Sequence, residues 1–228
     1  MRSNSGMGTL YLVRHGQASF GADNYDQLSA LGERQSVRLG EHFAQLGLQF
    51  EAAITGTLQR HAQTWAGIAQ GAGLAHTPLL RSGLNEYDSA AIIRAVHPAP
   101  LPKPANAEEV KHHFRLLREG LTAWSEDKLQ PAGMPPYAEW VRGITDVLDH
   151  VRAQYSGNVL LVSSGGPIAT ATGHVLGASA ATSIELNLRI RNSAVSEFVF
   201  TPKRHMLLAF NSIAHLESPQ YADWVTYA

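Results

Sequence analysis

Residues 9–16 read Thr9-Leu10-Tyr11-Leu12-Val13-Arg14-His15-Gly16, an apolar run that stops abruptly at a cation, an imidazole and a glycine. The stretch from Leu10 to Val13 predicts a strand buried on both faces, the mark of a central strand in a parallel sheet. Arg14 and His15 then stand at its C-terminal edge. In an open α/β sheet that edge is where ligands bind, in the crevice at a topological switch point, and Gly16 lets the backbone turn close to whatever is bound. A second stretch, Asn158 to Ile168, repeats the logic: apolar Val159–Val162 runs into Ser163, Ser164, Gly165 and Gly166, and Pro167 suits a first helical position. Two glycines at a helix N-terminus make a backbone cradle for an anion.

Between these strands the pattern alternates. Ser29 is the expected N-cap of a helix carrying Leu31, Leu39, Phe43 and Leu46 on one face as far as Gly47. Ala52 to Thr55 predicts a short strand, and Thr57 the N-cap of a helix with Leu58, Ala62, Trp65 and Ala69 inward, ending at Gly71. That places Arg60 in a first helical turn, where free N–H groups and the helix dipole already favour an anion. Residues 77–84 are strand-like, with Glu86 just beyond their end. Prolines 98, 100, 102 and 104 give an extended connector, and Val110, Phe114, Leu117, Leu121 and Trp124 then repeat at helical spacing. Residues 97–136 are therefore expected to form an insertion or lid over the functional edge. A core-facing helix follows from Trp140 to Val151, and Val195–Phe200 with Met206–Asn211 predict a hairpin.

The bulk numbers narrow the function. The chain has 228 residues, 44% hydrophobic and 16% charged, enough for one well-buried core, read as a single domain over residues 9–228 with a flexible N-terminus at 1–8. A formal charge of −1 gives no basic face for nucleic acid, so any anion site is local. Without cysteine there is no disulfide framework and no thiol catalysis. No apolar stretch suggests a membrane span or a secretory leader, so the expected location is cytoplasmic. The histidines show no metal-ligand spacing and there is no Walker A lysine loop, so neither a metal-dependent phosphatase nor a nucleotide triphosphatase is expected.

Five segments in order carry a resemblance: Arg14-His15-Gly16 behind a hydrophobic strand, Leu28 to Gln35, Thr57 to Thr64, Leu84-Asn85-Glu86, and Val162-Ser163-Ser164-Gly165-Gly166. Together they resemble the histidine phosphatase superfamily, the phosphoglycerate-mutase-like proteins. The resemblance implies a three-layer α/β/α fold with a mostly parallel central sheet and a helical insertion over the active-site edge. It implies that His15 attacks the phosphorus of a small-molecule phosphate monoester, that Glu86 is the general acid, and that Arg14, Arg60, Ser164 and Gly165 hold the phosphoryl oxygens, with no metal or other cofactor. Covalent catalysis by a neutral imidazole is physically reasonable, and planar guanidinium forks suit phosphoryl oxygens.

Two positions depart from the family pattern. Ser164 stands where the family usually has a second histidine within Ser-His-Gly-Gly, and Gly21 where many relatives carry a phosphate-contacting asparagine. A hydroxyl donates a neutral hydrogen bond only, a loss of about 1–2 kcal/mol or of order ten-fold in rate. His174 is no replacement, since ten residues along a helix is about 15 Å. On the sequence alone, Ser164→His is expected to raise turnover, and Asn192 is read as a turn residue. The alternatives to a phosphatase are a catalytically weakened or inactive phosphate-ligand binding protein, a phosphoglycerate mutase, and a serine hydrolase built on Ser164. The last lacks the first glycine of the Gly-x-Ser-x-Gly elbow, where Val162 stands. Oligomeric state and substrate are not legible.

Overall fold

The computed structural model describes residues 6–19, 26–102 and 104–227, so the expected flexible N-terminus, apart from its last three positions, and Gly21 lie outside the described residues. Strand β1 (Gly8–Arg14) lies inside a six-stranded sheet. Its neighbours are β4 (Asn158–Ser163), parallel, and β5 (Val195–Phe200), antiparallel. Beyond β4 come β2 (Ala52–Thr55) and β3 (Leu79–Leu80), both parallel, and beyond β5 comes the antiparallel β6 (His205–Ser212). The mostly parallel sheet expected from the sequence is present, with the hairpin as its antiparallel edge.

Side-chain alternation along β1 and β4 sends successive residues to opposite faces, and each face carries its own helices. Val13, Leu160 and Val162 pack with Leu39 and Phe43 of α1 (Ala30–Gln45) and with Trp65 and Ile68 of α2 (Gln59–Ala72). Leu10, Leu12, Val159 and Leu161 pack with Ile144, Val147 and Val151 of α5 (Tyr137–Gln154) and Ile168 of α6 (Gly165–Leu176). This is the three-layer α/β/α arrangement. A third cluster joins Ile92 of α3 (Ser89–Val96), Leu117, Leu121 and Trp124 of α4 (Ala107–Ser125), and Ile184 of α7 (Ala180–Asn187). From β1 the chain crosses through α1 to β2 on one side, and from β4 through α6 and α7 to β5 on the other. The β1–β4 boundary is thus the switch point, the place where open α/β sheets bind their ligands.

Several local expectations change. The third strand shrinks to Leu79–Leu80, after Pro78, which has no N–H for a ladder, and Ser82–Leu84 forms a 3-10 turn. Thr57 does not cap α2. Leu58 is the N-cap residue without a side-chain bond, and Asp26 supplies the acceptor from outside, its Oδ2 taking the Gln59 N–H at 2.9 Å. That helix runs past Gly71 to end at the left-handed Gly73, φ 67°. Pro167 is the third residue of α6, still within the first turn where no N–H has an intrahelical partner. Ser29 does cap α1, accepting from the Gly32 N–H, but Leu46 lies just past the helix and is exposed. The stripe on α4 is core only in its C-terminal half, since Val110 and Phe114 are 40% and 41% exposed. Helices α3 and α7, eight residues each, span too few turns to leave a readable period.

Candidate active site

Register brings the two strand ends together. Arg14 pairs with Ser163, the His15 N–H donates to the Ser163 carbonyl at 2.9 Å, and continuing the parallel register sets His15 beside Ser164. Both follow residues, Val13 and Val162, that face α1 and α2, so both are carried on the face over the start of α2. The His15 carbonyl accepts from the Ser193 N–H at 3.2 Å and the Asn192 Nδ2 at 3.4 Å, which fixes the main chain on its other side. Gly16 allows the turn that follows. A Cβ there would fall 2.4 Å from the Gly32 carbonyl oxygen, so any larger residue would push the loop off α1.

The imidazole of His15 is 4% exposed and its two nitrogens have different partners. Nδ1 lies 2.7 Å from the Gly16 carbonyl oxygen, which can only accept, so Nδ1 carries the proton. Nε2 accepts from Arg60 Nε at 3.2 Å and therefore holds the lone pair. Burial, then the neighbouring charges of Arg14 and Arg60 and the ring of His61, push the His15 pKa well below the usual imidazole range. The ring is neutral at physiological pH, with its proton on Nδ1 and its lone pair on Nε2.

Arg60 sits in the first turn of α2, as expected, and is buried. Its Nη1 donates to Asp26 Oδ1 at 2.9 Å, so the carboxylate that caps α2 also aims the guanidinium. Arg14 Nη1 donates to the carbonyl oxygens of Ile190 and, at 2.9 Å, of Tyr227. Both arginines act on the titration of His15 and of Glu86, so the cations, the imidazole and the carboxyl share one electrostatic neighbourhood.

Glu86 follows the 3-10 turn rather than a strand. Its Oε2 accepts from the Gly166 N–H at 3.1 Å. Burial raises its pKa above the usual carboxylate range, against the opposing pull of that N–H and of the two arginines. The Gly166 amide of the expected anion cradle is thus engaged by the acid. Gly165 has its own constraint, because a Cβ there would stand 2.5 Å from Asn187 Oδ1. Ser164 is fully buried as the N-cap residue of α6, and makes no side-chain capping bond. Its Oγ lies 2.7 Å from Nε2 of His61, a residue the sequence reading passed over.

Of the six expected residues, Arg14, His15, Ser164 and Gly165 fall at the C-terminal ends of β1 and β4, and Arg60 and Glu86 join them through hydrogen bonds to His15 Nε2 and the Gly166 N–H. Two others escape the sequence reading, Asp26 and His61, and a third, Asn192, is more than the turn residue expected of it. Asn192 is fully buried, and its main-chain N–H and side-chain Oδ1 hold Thr226 at 2.8 and 2.9 Å. Among the described residues no cluster of three or more metal-ligating side chains occurs, and no helix is long and apolar enough to cross a membrane.

The motifs quoted from the sequence thus meet, in order, around the ends of β1 and β4. The chain belongs to the histidine phosphatase superfamily (branch 1), whose model matches residues 10–96 and 103–213. A 2,3-bisphosphoglycerate-dependent phosphoglycerate mutase from Bartonella quintana is 33% identical over 87 residues, which cover 35% of this chain and 42% of that protein. The match thus spans less than half the length of that relative. A phosphoglycerate mutase structure from Bacillus anthracis superimposes with a TM-score of 0.65 at 16% identity, covering 93% of this chain and 96% of that one. A phosphoserine phosphatase from Entamoeba histolytica, in complex with phosphoserine, gives 0.64 at 19% identity over 92% and 99% of the two chains. A mycobacterial glucosyl-3-phosphoglycerate phosphatase gives 0.65 at 19% over 90% and 99%. At these identities the structural likeness is one of fold.

Proposed function

We propose that the protein is a phosphomonoesterase that acts on a small phosphorylated metabolite through a phosphohistidine at His15. The observation that carries this reading is the tautomer: Nδ1–H bound to the Gly16 carbonyl, with the Nε2 lone pair beside Arg60. Nε2 attacks phosphorus and the bond to the leaving oxygen breaks. Arg60 and Arg14 neutralise charge on the phosphoryl oxygens, which is most of what phosphoryl transfer requires. Glu86, whose raised pKa favours its protonated form, gives its proton to the leaving oxygen. In the second half its carboxylate takes a proton from water, the hydroxyl joins phosphorus, and the P–N electron pair returns to Nε2. Arg60 guards the lone pair at rest, and an incoming phosphoryl oxygen competes for the same N–H.

The mutase named among the relatives supports a second reading, in which the phosphohistidine is discharged to a second hydroxyl rather than to water. Structural neighbours named as phosphatases of phosphoserine and glucosyl-3-phosphoglycerate favour hydrolysis and a small phosphorylated substrate. The test is a panel of labelled phosphate monoesters with rapid denaturation at alkaline pH, where phosphohistidine persists. Label on His15, lost in His15→Ala, and release of inorganic phosphate are expected. Undiminished hydrolysis by His15→Ala overturns the reading.

A further inference from the structure

One buried imidazole beside the site has no part in the steps above. His61 is fully buried in the first turn of α2, and its ring centroid lies 5.9 Å from that of His15. Nε2 is 2.7 Å from Ser164 Oγ, whereas Nδ1 is buried and has no hydrogen-bond partner among the described residues. Room for the ring is made by Gly56, where a Cβ would fall 2.1 Å from Nδ1. Three side chains from three elements, His15, His61 and Ser164, therefore converge at the strand ends.

The orphan nitrogen decides the direction of the bond. A buried N–H without an acceptor is rarer than a buried lone pair without a donor, so the proton belongs on Nε2 and Nδ1 is bare. Nε2–H then donates to Ser164 Oγ. With one lone pair occupied from α2, the hydroxyl is left to give its own proton elsewhere, and His15 is its neighbour in the extended register. Burial, with help from Arg60, lowers the His61 pKa to about 3, so this arrangement stays neutral and unbroken at working pH.

Resting on the phosphatase reading, we propose that His61 is a positioning residue that holds the Ser164 hydroxyl as a hydrogen-bond donor to a phosphoryl oxygen at His15. Ser164 touches the phosphoryl group, and His61 acts only through it.

The test reads phosphate binding apart from turnover. Calorimetric titration with inorganic phosphate compares wild type, Ser164→Ala, His61→Leu, His61→Gln and the His61→Leu/Ser164→Ala double variant. Each of Ser164→Ala and His61→Leu is expected to weaken phosphate about ten-fold, the size of one hydrogen bond to a charged group. The double variant should be no weaker than Ser164→Ala, and His61→Gln, whose amide can donate to the same oxygen, should keep most of the affinity. Unchanged affinity in His61→Leu, or losses that multiply in the double variant, would overturn the assignment. Nitrogen-15 NMR of histidine-labelled wild type gives a check free of folding effects: His61 should carry its proton on Nε2. A proton on Nδ1 would make Nε2 the acceptor of the Ser164 proton and refute the proposal. Absence of a phosphohistidine with this binding pattern intact would sink the phosphatase reading alone.

Discussion

Replacing Ser164 by histidine separates what the sequence suggests from what the packing allows. On the sequence the change restores a customary imidazole and should raise turnover. In the structure Ser164 and His61 are both fully sealed from solvent, and their polar atoms already lie 2.7 Å apart. A second ring must displace the His61 ring or its neighbours, and overpacking of this kind costs about 1–3 kcal/mol. Loss of the hydroxyl donor adds about 1–2 kcal/mol in the transition state. Ser164→His should therefore lower kcat about 10-fold or more on a chromogenic aryl phosphate, and lower Tm by about 4–8 °C for 2 kcal/mol of strain in a chain of this size. His61→Ala combined with Ser164→His vacates the ring's space and should recover most of both losses. If Ser164→His alone matches or exceeds wild type, His61 does not fill the position assigned to it and the reasoning fails.

Glu86→Gln should reduce kcat by about 10²–10⁴-fold and remove the alkaline limb of the rate profile, since that limb is the loss of the proton Glu86 must donate; a retained limb would assign the proton to another group. Gly56→Ala should destabilise by about 1–3 kcal/mol in urea titration and weaken phosphate binding together, because the added methyl meets His61 Nδ1; intact binding would break the link. His215, which shares a 2.8 Å hydrogen bond with Ser193 Oγ, has its pKa lowered by burial to about 3. A lowered folded-state pKa means that the unfolded chain takes up the proton first, so this contribution is present above about pH 6.5 and is lost as pH falls. Between pH 7 and pH 5 it amounts to about 2 kcal/mol, and His215→Gln should flatten the pH dependence of unfolding by that amount.

What the sequence reveals here follows from how local each signal is. The two strand ends were legible because a buried strand is a short unbroken apolar run and its terminus is marked by glycine. Arg60 was legible because a helix start is a local event. The His61–Ser164 contact joins positions 103 residues apart and has no pattern of its own, because a histidine beside an arginine on a helix reads as solvated surface. Asp26 was hidden for the same reason: it caps a helix 33 residues further along, where a local cap at Thr57 was the natural reading. Asn192 reads as a turn residue, yet its bonds to His15 and Thr226 make it a rivet between the main chain at His15 and the segment around Thr226.

The carbonyls that hold Arg14 come from Ile190 and Tyr227, 176 and 213 residues downstream. The placement of the first guanidinium is therefore a long-range product of folding, because β1 supplies the cation while segments far from it in sequence supply the carbonyls that orient it.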